Sequence, residues 1–208
     1  MYKRPLIARA AILSTLIYIA SQVALGVFLL WSNAVYSAYY ADQTSDAAVA
    51  DAIWMDKISV FSGAAFVVCL ALTLIVNARW IYTAARDANR ANPGDDRISA
   101  GWAVGWYLVP IMNWFKPYQA MEQIWTGTVH RPTPGWFGLW WGSWVALSIA
   151  DNVISRVAEN SLNNPDAFLR WNMASAVTCF LWVVPAALFL RIIREVSAAA
   201  PKQAEIFA

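Results

Sequence analysis

The chain has 208 residues, of which 60% are hydrophobic and only 13% charged. Soluble domains carry about 25% charged residues, so this chain has too little polar surface to cover itself in water. A net charge of +2 is too weak for a nucleic-acid footprint. The 13 tryptophans point the same way, since Trp collects where an apolar body meets a polar interface.

The first apolar run, residues 7–31, follows Lys3 and Arg4. It exceeds the h-region of a signal peptide, about 7–15 residues, and reads as a retained first span. No Gly or Pro stops the helix after Trp31, so residues 32–57 are expected to form a helical hairpin standing out of the membrane. Its turn falls at Asp42–Asp46, where Ser45 or Asp46 can cap the next helix. Tyr36, Tyr39 and Tyr40 lie along this extension. A second span covers 58–81 and continues as helix to about Arg90, before the loop signal Asn92-Pro-Gly-Asp-Asp.

Residues 98–126 do not fit a span. Their apolar part, 100–112, is too short for about 30 Å of hydrocarbon at 1.5 Å per residue. Pro110 breaks it, and Pro117 suits the first turn of a new helix that places Met121, Ile124 and Trp125 on one face. Trp114, Phe115 and Trp125 are expected to anchor that helix at the membrane interface. A third span, 136–154, opens Trp-rich, and a fourth covers 168–192. Gly101 and Gly105, and again Gly138 and Gly142, have the spacing of close helix contacts, so the short segment is expected to pack against the third span through them.

The expected fold is therefore an all-α membrane protein with four transmembrane helices and a re-entrant or interfacial segment. Lys and Arg decide the topology. With four spans, one side carries Lys3, Arg4, Arg9, Arg79, Arg86, Arg90, Arg97, Lys116, Arg131, Arg191, Arg194 and Lys202, and the other only Lys57, Arg156 and Arg170. With five spans the two sides come out nearly even. The reading is a multi-pass inner-membrane protein with both termini cytoplasmic.

The block from Arg97 to Trp125 resembles the signature of a bacterial membrane family catalogued as domain of unknown function 4328. The likeness lies in Gly105-Trp106, Val109-Pro110, Asn113 to Tyr118 and Ile124-Trp125, with the Trp-rich run Trp136 to Trp144 after them. It extends over roughly residues 55–195. It implies a multi-span membrane protein and no activity.

No complete catalytic set is visible. The single histidine, His130, sits beside Arg131 in a loop, and Cys69 and Cys179 lie inside apolar runs. No cofactor or metal is expected. Candidate ligand or lipid-headgroup residues are Arg97, Asn113, Lys116, Tyr118 and Glu122, all at the broken segment. They either stitch the break together or meet an anion on the cytoplasmic side. Candidate intramembrane polar residues are Asn77, Asp151 and Asn172. The two asparagines suit interhelical hydrogen bonds, and Asp151 suits an interfacial position or an ion pair with Arg156. The functional expectation is a non-enzymatic membrane protein that scaffolds, senses or assembles with other membrane proteins or itself. The alternatives are a transporter or channel-like protein, and lipid or small-ligand binding at the broken segment. The expected partners are the lipid bilayer and other membrane proteins, not nucleic acid.

Overall fold

A computed structural model describes residues 4–94, 96–159 and 164–206. Every regular element among them is helical. Helix α1 spans Arg4–Ala41 and α2 spans Asp46–Ala91, so both run well past the expected spans. At 46 residues α2 is about 69 Å long, against about 30 Å of hydrocarbon. The turn between them forms where expected. Asp42 Oδ1 accepts from the Thr44 backbone N at 3.0 Å and the Thr44 hydroxyl at 2.7 Å. These bonds, the hydroxyl first, hold the Asp42 carboxyl below its ordinary range. Ser45 caps α2 by accepting from Ala48 N.

After α2 come the short α3, Ala100–Gly105, two 3-10 turns at Trp106–Leu108 and Met112–Trp114, and α4, Lys116–Val129. Helix α5 covers Trp136–Glu159, α6 covers Pro165–Leu181 and α7 covers Val183–Ile206. Only Trp182 separates α6 from α7, and its N–H still reaches Thr178 O at 2.9 Å. Pro185, third in α7, has no N–H for the preceding turn, which accounts for the break in one otherwise continuous helix. By length and composition three helices can cross a membrane: Leu6–Ala41, Asp46–Ala91 and Pro165–Ala199. Helix α5, 24 residues long, is not among these three; Trp residues, Asp151 and Asn152 stand among its aliphatic side chains.

The chain divides into two compact units. The first comprises Met1–Leu16, Ala71–Gly142 and Ala186–Ala208, and the second Ile17–Leu70 and Ser143–Pro185. Of the 15 Lys and Arg, 12 fall in the first unit beside 6 Asp and Glu, a net +6. The second holds 3 basic and 7 acidic residues, a net −4.

Aromatic packing dominates the first unit. Phe137 is 0% exposed, and its ring meets those of Trp125, Trp136, Trp140 and Tyr118 at 5.2, 5.3, 5.8 and 6.3 Å. Three of these contacts are edge-to-face, the geometry the ring quadrupole favours. Trp140 stacks on Phe189 of α7, and Trp80 of α2 meets Phe189 edge-on. Asn77 donates to Thr15 Oγ1 at 3.2 Å, joining α2 to α1.

In the second unit Asn172 is the most buried polar side chain. It donates to Leu29 O at 3.2 Å and Ser32 Oγ at 3.3 Å, tying α6 to α1. Asp151 Oδ2 accepts from Trp182 Nε1 at 2.7 Å, so the α5 acid is held by the residue at the α6–α7 break. Tyr36 donates to Asp56 and packs edge-on against Phe168 at 5.1 Å, fixing the hairpin extension to α6.

Candidate functional site

The segment between α2 and α5 is built around a backbone reversal. Val109 ends the first 3-10 turn in extended conformation, the state preferred before proline. Ile111 then takes φ 67° and ψ −53°, and Met112 N donates to Pro110 O at 2.7 Å. That is a γ-turn of the rare positive-φ kind, centred on a β-branched residue. Such backbone costs about 1–3 kcal/mol and persists only where its surroundings enforce it.

Side chains from neighbouring elements supply that enforcement. Trp141 Nε1 donates to Trp114 O at 2.7 Å, so α5 holds the end of the second 3-10 turn. Ile98 N donates to Gln123 Oε1 at 2.9 Å, and Asn89 Nδ2 donates to Ile98 O at 2.8 Å, closing the entrance to α3 from α4 and α2. Asn92 Nδ2 reaches Gly127 O at 2.8 Å. Gly127 fits closely there: a Cβ would stand 3.0 Å from Arg97 Nη1 and 3.3 Å from Ala88 Cβ.

The five expected site residues do not converge on one point. Arg97 turns back onto α2, where Nη1 donates to Ala88 O at 3.4 Å. Lys116 Nζ donates to Gln119 Oε1 at 3.0 Å in the first turn of α4. Glu122 Oε1 accepts from Thr133 Oγ1 at 2.9 Å. Tyr118 lies edge-on to Phe137, and burial, then the Glu122 carboxylate one turn on, pushes its phenol up. Asn113 does not bridge the broken backbone with its side chain. Its Oδ1 is buried without a hydrogen-bond partner, and Trp141 does the bridging instead.

Two further expectations are corrected by the packing. Trp125 is not an interface anchor. It is buried beside Met121 and Ile124, with Nε1 donating to Pro132 O at 3.3 Å. The other two expected anchors, Trp114 and Phe115, are exposed. The paired glycines do not form a close helix contact either. A Cβ at Gly101, Gly138 or Gly142 would meet nothing within 4 Å, and Gly105 faces the Trp102 ring of its own helix.

What the segment presents outward is an apolar tip: Leu108 is 85% exposed, Ile111 72%, Phe115 59% and Trp114 49%. Between Asp96 and Glu122 there is no acidic residue. Among the described residues no cluster of three or more His, Cys, Asp or Glu is placed to hold a metal ion, and Cys69 and Cys179 are free thiols.

The family model described as Domain of unknown function (DUF4328) matches residues 43–198, which includes the whole broken segment. No curated protein and no solved structure matches the chain.

Proposed function

Since the chain belongs to the DUF4328 family, we propose that it is a non-enzymatic membrane scaffold that assembles with other membrane proteins or with itself through its long outer helix faces. The observation carrying this reading is the outward surface of α2. Only 6% of its most apolar stretch is buried within the protein, against 44% for the α6–α7 helix. A span so little used internally is available to pack on other helices. Photo-crosslinking residues introduced at Val68 and Leu72, both exposed, should each yield the same discrete protein adduct in native membranes. One placed at the buried Thr73 should not. Adducts to lipid alone at Val68 and Leu72 would sink the scaffold reading. Solute flux through reconstituted vesicles would favour a transporter instead.

The accompanying topology has four spans, with α5 as the third, and a re-entrant segment from α3 to the start of α4. Both termini lie in the cytoplasm of a bacterial cell and the 42–56 hairpin lies outside its inner membrane. The division of 12 basic residues in one unit and 3 in the other supports it, since cytoplasmic loops carry the excess of Lys and Arg. Lys116 supports the return, because a charge at mid-bilayer costs about 2.5–3.5 kcal/mol or more and draws the chain back to headgroup level. With Cys69 and Cys179 replaced, a cysteine at the exposed Asp51 should react with a membrane-impermeant maleimide on intact cells. One at the exposed Gly135 should react only after lysis. Labelling at position 135 from outside would refute the four-span topology.

A further inference from the structure

We propose that the hook formed by residues 106–118 is a docking surface for anionic phospholipid, with the exposed tip seated among acyl chains and Lys116 meeting the headgroup phosphate. The inference rests on the re-entrant reading and adds the class of lipid. Three observations carry it.

The apolar tip is outward by construction. The γ-turn at Ile111 reverses the backbone there, and the bond from Trp141 Nε1 to Trp114 O at 2.7 Å fixes the reversal to α5. Leu108, Ile111, Trp114 and Phe115 consequently project away from the aromatic core. Exposed aliphatic and aromatic side chains grouped in this way are stable among acyl chains and costly in water.

Charge selects the headgroup. Lys116 directly follows the tip, in the first turn of α4, which contains no acid. Arg97, the other basic residue of the acid-free stretch, is turned onto the Ala88 carbonyl. The positive charge next to the tip therefore belongs to Lys116, whose partner among the described residues is the neutral Gln119. The unit around it is net +6. Such a surface complements an anionic leaflet and has no preference to gain from a zwitterionic one.

The test uses the full chain in phosphatidylcholine vesicles, with and without phosphatidylglycerol. Native Cys69 and Cys179 are replaced, and Ile111→Cys carries a fluorophore. Bromine on the acyl chains quenches a fluorophore only in contact. Brominated phosphatidylglycerol should quench more than brominated phosphatidylcholine at equal mole fraction. The expected enrichment is roughly fivefold, equivalent to about 1 kcal/mol for one basic side chain at an anionic surface. Lys116→Gln should abolish the preference, Lys116→Arg should keep it, and high salt should weaken it. The unlabelled native chain, extracted from the mixed vesicles, should retain phosphatidylglycerol in excess, and Lys116→Gln should lose that excess. Equal quenching by both lipids overturns the headgroup selection while leaving the re-entrant segment standing. No quenching by either means that the hook lies outside the bilayer, which overturns both.

Discussion

Phe137→Ala is expected to cost about 3–5 kcal/mol, the range for removing a fully buried aromatic ring. Phe137 sits in the first turn of α5 and is 0% exposed. Its ring is shared by Tyr118 and Trp125 of α4 and by Trp136 and Trp140 of its own helix. Truncation removes dispersion contacts on every side, and the large, stiff neighbouring rings are poorly able to collapse into the space. The edge-to-face pairs add about 0.5–1.5 kcal/mol each beyond area burial. The loss should appear as an earlier unfolding midpoint by circular dichroism when denaturing detergent is titrated into mild detergent. Phe61→Ala is the control, since Phe61 is 75% exposed and its truncation should change little. Equal midpoints for the two variants would show that the aromatic cluster does not organise the first unit.

Asn172→Asp should destabilise by at least about 2.5 kcal/mol, the lower end of the cost of a charge placed in a span. Asn172 is 1% exposed, and its amide donates to Leu29 O and Ser32 Oγ. An ionised carboxylate has no proton for the Leu29 carbonyl, so two acceptors would face each other in a dry site. The same chemical change at Asn164 should be neutral or slightly stabilising. Asn164 caps α6 by accepting from Ala167 N at 3.2 Å, and an anion suits a helix N-terminus. Unfolding of both variants in the same detergent series gives the contrast. A change at position 172 as small as that at 164 would contradict the buried hydrogen-bonded role.

The two variants probe different kinds of information. Asn164 acts locally, through a capping bond to Ala167 N only three residues along the chain. Asn172 was recognisable as a polar residue in a span, but its partners lie 143 and 140 residues away. Nothing local names them.

Features that depend on neighbouring residues and on overall polarity were legible in the amino-acid order. These include the long helices α1 and α2, the Asp42–Asp46 turn, a break between Pro110 and Pro117, and the face of α4 carrying Met121, Ile124 and Trp125. Which tryptophans are core was legible only in the packing. Trp80, Trp125 and Trp140 are buried, whereas Trp54, Trp102 and Trp114 are exposed, although the residue type is the same. An indole serves equally in an apolar core and at a membrane interface, because its large apolar body is satisfied in both and its one N–H needs a single acceptor. Whether that acceptor is the Trp114 carbonyl for Trp141 or the Asp151 carboxylate for Trp182 depends on elements 27 and 31 residues apart in the chain. Small-residue spacing likewise promised a helix contact that packing did not make. Glycine at intervals of four permits close approach without supplying any attraction, so the partner helix settles the matter.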